Sequence, residues 1–236
     1  MPRAVVLLSG GLDSTTTLAF AKNAGYEVFA LSVDYGQRHR IELLRAAIIA
    51  KKLNAVEHRT IALDLRSLGG SSLTTSADVP KDRSVVEMAT GIPSTYVPAR
   101  NTMLLAAALS YAETIGAFDL VFGANALDHG GYPDCRPEFF AAFTVLANTA
   151  TAVGAAGHGR FRIHTPLIDR TKADIVRLGI ELGVDLSLTT SCYDPDAEGR
   201  ACGRCDACAL RRAGFRDAGA ADPTTYRDHP GLGADR

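Results

Sequence analysis

An α/β fold, a parallel sheet with helices on both faces, is predicted by three observations. Apolar runs of strand length alternate with helical patterns, the links between them are short, and the first run ends in paired glycines that lead straight into a helix. Such a layout gathers its ligands at the carboxyl ends of the strands. With 236 residues, 47% of them hydrophobic, the chain can bury one full core plus a small appendage. A formal net charge of -1 gives no whole-chain basis for binding nucleic acid or an anionic membrane, so the substrate is expected to be small. The longest apolar run, around Met103 and Ala108, is far shorter than the ~20 residues of a membrane span. No signal peptide is read in the opening residues, which predicts a cytoplasmic protein. In that compartment the five cysteines are expected to be metal ligands or thiols rather than disulfides.

Residues 4–8 form the first strand, followed by Ser9-Gly10-Gly11-Leu12-Asp13-Ser14 and a helix over 15–22. Backbone N–H groups at the start of that helix have no partner and point at whatever the loop holds, which makes an anion site. Gly10 and Gly11 allow close approach of the main chain, and Ser9, Ser14 and Thr15 add hydroxyl donors. The loop lacks both the Gly-Lys-Ser/Thr ending of a P-loop and the third spaced glycine of a dinucleotide fold. Its carboxylate, Asp13, suits a Mg²⁺ carried on pyrophosphate oxygens.

A second strand over 28–33 ends in Asp34-Tyr35-Gly36-Gln37-Arg38-His39, and the helix 40–53 carries an apolar stripe of Ile41, Leu44, Ile48 and Leu53. A third strand covers 56–62. Periodicity then fails over 67–99, and a connection that long inside one domain is expected to be a functional loop or lid. Alanine and leucine predict a helix over 101–116, followed by a strand over 118–123. The polar segment that follows contains Asp128, His129, Gly130, Gly131, Tyr132, Asp134, Cys135 and Arg136, placed just beyond a strand end where ligands collect. Pro137 starts the helix 138–152, and a strand over 161–165 and a helix over 171–182 complete the layers. This divides the chain into an α/β domain at 1–185, a cysteine module at 186–219 and a disordered tail at 220–236.

Cys192, Cys202, Cys205 and Cys208 put four thiolates within 17 residues. Two-residue gaps let a knuckle turn two sulfurs toward one ion, and four protein ligands make a closed, structural zinc site. An iron–sulfur cluster uses the same ligands, and a redox-active Cys-x-x-Cys pair is a third reading. Cys135 stands apart and reads as a buried core thiol.

The string Ser-Gly-Gly-Leu-Asp-Ser after the first strand resembles the pyrophosphate loop of the N-type ATP pyrophosphatases, with their adenine nucleotide alpha hydrolase-like fold. Five further stretches carry the resemblance to one family within them: Asp34 to His39, Val97-Pro98-Ala99-Arg100-Asn101, Gly123-Ala124-Asn125, Gly131 to Phe139, and Cys192 through Cys208. Together they are similar to the 7-cyano-7-deazaguanine synthases over residues 4–219. One departure is Thr190, where members often carry a tryptophan before the Ser-Cys that opens the metal site; this chain has no Trp.

The resemblance implies a ligase that converts 7-carboxy-7-deazaguanine to 7-cyano-7-deazaguanine with ammonia and two ATP, a structural zinc ion, Mg²⁺ with ATP, and a homodimer. It implies catalytic roles for Asp13, Ser14 and Arg100. ATP would be bound by Leu8, Ser9, Gly10, Gly11, Leu12, Asp13, Ser14, Thr15, Thr16, Thr17, Leu18, Asp34 and Asn101, and the deazaguanine by Tyr132, Asp134, Arg136 and Glu138. Gln37 and His39 sit where the second strand would meet the nucleotide, His39 reading equally as a satisfied half-buried histidine, while Lys172 reads as a solvated surface lysine ahead of a phosphate contact. Two rivals share the scaffold: a tRNA-modifying ATPase, whose basic surface the net charge does not offer, and an enzyme that stops at the amide. A nucleic-acid-binding knuckle would draw on Arg200, Arg204, Arg211, Arg212 and Arg216, but only Tyr193 and Phe215 are nearby for stacking.

Overall fold

Alternation of side chains along the two central strands decides the layering. In β1 (Arg3–Leu7) and β2 (Glu27–Asp34), Val5, Leu7, Phe29 and Leu31 enter one apolar layer, while Ala4, Val6, Val28 and Ala30 enter the other. Strands buried on both faces require cover on both, and the chain supplies it. The computed structural model describes residues 1–37, 41–88, 90–125 and 132–227. Arg38, His39, Asp128, His129, Gly130, Gly131 and the tail from 228 onward lie outside the described residues.

Five parallel strands form one sheet in the order β3-β2-β1-β4-β5, with β3 at Glu57–Ala62, β4 at Asp119–Val121 and β5 at Arg162–His164. Helices α1 (Leu12–Asn23) and α2 (Ile41–Lys52) cover one face through Leu18, Ala21 and Ile49. After the one-turn α3 (Val85–Met88), helices α4 (Arg100–Ile115) and α5 (Pro137–Ala150) cover the other through Leu105, Leu109, Phe140 and Phe143. A short α6 (Ala152–Ala155) leads toward β5, and α7 (Lys172–Glu181) packs on α1. The predicted α/β class is therefore the observed one. Chain order reverses at β1, which has β2 on one side and β4 on the other, so the crevice beyond these carboxyl ends is the place for a ligand.

Three expectations need correction. The apolar stripe of α2 is rotated: Leu44 is 63% and Ile48 49% exposed, whereas Ala46, Ile49 and Ala50 are buried. Ala46 faces inward where the start of α2 runs against the loop, a Cβ on Gly10 lying 2.9 Å from Ala46 N, and Ile49 follows it on the same face. A second difference is α8 (Asp206–Ala218), which the sparse apolar content of this region hid. It buries Phe215 against Ile175 and Val176 of α7, so the cysteine module is sewn onto the α/β layers.

The third concerns the tail, whose described part, 220–227, is held against the cysteine module. The Ala201 amide donates to Thr225 O and the Arg227 amide to Ala201 O, each at 2.9 Å. Arg211, 2% exposed, anchors this strap. Its Nε donates to Asp222 Oδ1 at 3.0 Å, Nη1 to Thr189 Oγ1 at 2.8 Å and Nη2 to Leu186 O at 3.2 Å. Breaking a buried ion pair by removing one partner leaves the other desolvated. Arg211→Leu is expected to lower stability by about 3 kcal/mol, read as a lower urea midpoint with unchanged slope. A variant as stable as the parent would sink this account.

The long connection at 67–99 is packed on the cysteine module. Leu73, Val79 and Val97 lie against Cys192, Cys202, Cys205 and Cys208, and the Asp82 amide donates to Arg204 O at 2.8 Å.

Candidate active site and metal centre

A cavity of about 260 Å³ opens at the switch point. Its walls come from the exits of three strands: Leu7 to Ser9 after β1, Tyr35 and Gln37 after β2, and Phe122 to Asn125 after β4. The cysteine module closes it with Ser191, Cys192 and Tyr193.

The phosphate loop is set by close contact. Gly10 has φ +81°, and a Cβ there would lie 2.5 Å from Glu42 O and 2.9 Å from Ala46 N. Only glycine permits both the left-handed backbone and the approach of α2. Helix α1 starts at Leu12 with Gly11 as its cap and no side-chain bond to the first turn. Ser9 and Ser14 are joined by their hydroxyls at 3.0 Å, and the Ser9 amide donates to Ser14 Oγ at 3.1 Å. Leu8, Ser9, Gly11, Leu12, Asp13 and Ser14 all line the cavity.

Asp13 accepts from Lys172 Nζ at both carboxylate oxygens, each at 2.9 Å. The lysine expected at the solvated surface is thus 12% exposed and lines the same cavity. The approach of α8 explains its position, since a Cβ on Gly214 would lie 2.4 Å from Lys172 Cγ. A side chain there would push the helices apart. No local pattern marks this lysine, because it is 159 positions from its partner.

At the other end of the cavity stand Tyr35, Glu42, Arg100, Asn101, Tyr132, Cys135 and Tyr193. The Arg100 guanidinium lies 5.4 Å from the centre of the Tyr35 ring and donates to its hydroxyl at 3.3 Å. Among the described residues its Nε has no partner. A buried donor of this kind, always charged, fits a ligand carboxylate or phosphate. Tyr132 shares a hydrogen bond with Thr95 Oγ1 at 2.8 Å. Burial raises the Tyr132 and Tyr193 hydroxyls above their usual range, so both stay protonated as donors at neutral pH. Burial likewise pushes the Cys135 thiol up to about 11. That environment is wrong for a nucleophilic thiolate, in keeping with a core thiol. Desolvation lifts the Glu42 carboxyl to about 7 against the pull of Arg100.

Several site residues from the sequence lie elsewhere. Thr15 spends its hydroxyl on Gly11 O at 2.7 Å, and Thr16, Thr17 and Leu18 are fully buried further along α1, outside the cavity lining. The helical period carries them away from the loop. Gly10 shapes the loop from behind. Asp34 also lies off the lining and accepts the Gly36 amide at 3.1 Å. Asp134 is buried and accepts the Asn101 amide at 3.1 Å, which fixes the start of α4 and so holds Arg100 in place. Arg136 and Glu138 are exposed and do not reach the cavity. Beyond Lys172, the cavity adds Tyr35 and Tyr193, which lie within the stretches quoted above, and Ser191 beside Cys192, all without a role predicted at this cavity; it also adds Glu42 and Arg211, which no local motif marks for it.

The four sulfurs of Cys192, Cys202, Cys205 and Cys208 lie within 4.8 Å of one another, all buried and none in a disulfide. Backbone amides aim at them: Cys202 N to Cys192 Sγ at 3.1 Å, and Cys205 N to Cys202 Sγ at 3.3 Å. Amide donors that offset thiolate charge are a familiar outer layer of a metal centre, and four convergent sulfurs suit a tetrahedral ion. Next to this centre the Thr190 amide donates to Gly10 O at 3.0 Å.

Comparison with known proteins agrees with this geometry. The family model described as queuosine biosynthesis protein QueC matches residues 3–219. A 7-cyano-7-deazaguanine synthase from Myxococcus xanthus is 56% identical over 226 residues, 96% of this chain and 98% of its own length. One from Cupriavidus taiwanensis is 58% identical, over 95% of this chain and 97% of its own. Among solved structures, a predicted subunit of tRNA methyltransferase from Methanocaldococcus jannaschii shares the fold, with TM-score 0.50 and 17% identity over 98% of this chain and 94% of that one. Among the described residues no helix is long and apolar enough to cross a membrane.

Proposed function

This chain belongs to the QueC family of queuosine biosynthesis proteins, and we infer on that footing that its cavity converts 7-carboxy-7-deazaguanine, ammonia and ATP to 7-cyano-7-deazaguanine. The observation that carries the reading is the convergence of the phosphate loop, Lys172 and Arg100 on one cavity at the sheet's switch point. A carboxylate is a poor acyl donor because its leaving group would be oxide. Joining its oxygen to the α-phosphate of ATP, with loss of pyrophosphate, supplies AMP as leaving group. Ammonia then displaces AMP to give the amide. Adenylation of the amide oxygen by a second ATP lets AMP depart again as the C–N triple bond forms.

In this reading Leu8, Ser9, Gly11, Leu12, Asp13, Ser14 and Asn101 receive ATP, with the amides at the start of α1 on the pyrophosphate. Asp13 would hold Mg²⁺ carried on the pyrophosphate oxygens, a cation that neutralises the departing group. Lys172 adds positive charge to the same end of the site. Arg100 takes the substrate carboxylate or the α-phosphate, and Tyr132 and Tyr193 offer hydroxyl donors to the deazaguanine. The cysteine centre takes Zn²⁺ in a structural role, because four protein ligands leave no position for a reacting water. The same reading includes a homodimer in the cytoplasm, testable by light scattering of the purified protein.

The decisive experiment incubates the protein with the deazapurine acid, ATP, Mg²⁺ and ammonium and follows nucleotide and deazapurine products by mass spectrometry. The expected result is nitrile with two AMP per turnover. Amide without nitrile would mean an enzyme that stops halfway; absence of both would overturn the reading.

A further inference from the structure

Glu42 is the one carboxylate of the cavity wall, among the described residues, for which neither the fold nor the proposed roles above give a task. It lies in the first turn of α2, directly behind the phosphate loop, with its carbonyl against Gly10. Its side chain lines the cavity and, among the described residues, makes no hydrogen bond or ion pair. A desolvated carboxylate without a partner is costly, and in a site for a triphosphate and an organic acid it would repel both ligands. A ligand that is cationic or donates protons would satisfy it.

Among the described residues, the charged and titratable groups around it are accounted for. Arg100 of α4 and Tyr35 after β2 face it and are bonded to each other. Asp13 and Lys172 form a pair at the loop. Tyr132, Cys135, Cys192, Tyr193 and Arg211 are the other titratable groups of the lining among the described residues, with Arg211 committed to Asp222 and Thr189. One reactant remains unassigned, the nitrogen nucleophile. Near neutral pH it exists chiefly as ammonium, which has no lone pair to attack with until a proton is removed.

We propose that Glu42 is the ammonium site of this enzyme and accepts the proton released as nitrogen attacks; the proposal rests on the reaction given above. One N–H bond of ammonium breaks, with its proton passing to a Glu42 carboxylate oxygen. The freed electron pair forms the C–N bond to the adenylated carbonyl carbon. The C–O bond to AMP then breaks as a second proton leaves nitrogen for the departing phosphate, giving amide and AMP. A carboxyl that titrates near 7 is matched to this exchange at working pH.

The test compares two nucleophiles on Glu42→Gln, Glu42→Asp and the parent. Hydroxylamine is largely unprotonated at neutral pH and does not need the base. Three rates are measured: acid-dependent exchange of pyrophosphate into ATP, amide formation from ammonium, and hydroxamate formation from hydroxylamine. For Glu42→Gln the expected result is exchange and hydroxamate within a few-fold of the parent, with amide formation reduced about 100-fold; Glu42→Asp recovers part of the ammonium rate. Equal loss with both nucleophiles, loss of exchange, or an unchanged ammonium rate would overturn the proposal. Conversion of acid to nitrile by the parent, followed in the same series, reports separately on the reaction itself.

Discussion

Asp13→Ala is expected to reduce nitrile formation by about 10²- to 10³-fold, the scale on which loss of one preorganised electrostatic group acts in a closed site. Two losses combine. The substitution removes the carboxylate proposed to carry the cation on pyrophosphate, and it removes the group that holds Lys172 by two hydrogen bonds. If the two side chains act as one unit, Lys172→Ala will cost a similar factor, and the double variant will be little worse than the poorer single one. Multiplication of the two factors would instead separate their roles. AMP release and nitrile formation, measured together, decide between these outcomes. Turnover retained in Asp13→Ala would reduce the aspartate to a tether for the lysine.

Cys202→Ser is expected to give the largest loss of stability of any single substitution in the chain. Cys202 is fully buried, and its sulfur accepts amides from Arg204 and Cys205, so a shorter, harder oxygen replaces a ligand in a prebuilt shell. Metal binding in such a module is folding free energy, and loss of a ligand belongs to the rare class of changes worth about 5 kcal/mol. The expected observation is one equivalent of metal lost and a steep drop in melting temperature, with the parent behaving alike after prolonged chelation. Cys135→Ser is the control, because Cys135 bonds to Asn101 instead and that variant keeps its metal. A Cys202→Ser protein that holds metal and melts normally would remove the centre from the account of the fold.

Features written in consecutive residues could be read from the sequence, and features assembled across it could not. The alternating strands, the Ser-Gly-Gly loop and the cysteine spacing are local, and each appears where the pattern put it. Lys172 reaches Asp13 only because Gly214 lets α8 press on α7, a contact no window of residues contains. Glu42 likewise looks like an ordinary helix-starting acid until α2 is docked behind Gly10. The same docking goes with the rotated face of α2, where Ala46 and Ile49 are buried and Leu44 is exposed. Conversely, Asp134 had the chemistry of a ligand contact and is used to fix the first turn of α4. Polar residues near a strand end serve the backbone as often as the substrate, and only the bonds they make distinguish the two.

The amide of Thr190, bonded to the carbonyl of Gly10, joins two centres that otherwise share no chemistry. Two residues further on is Cys192 of the four-cysteine cluster, and one residue beyond Gly10 helix α1 is capped. A disturbance of the cysteine cluster would reach the proposed triphosphate site through this bond. In a cell short of the metal, loss of the folded module and loss of the proposed nucleotide site would come together, so the output of this protein would follow trace-metal supply as well as substrate.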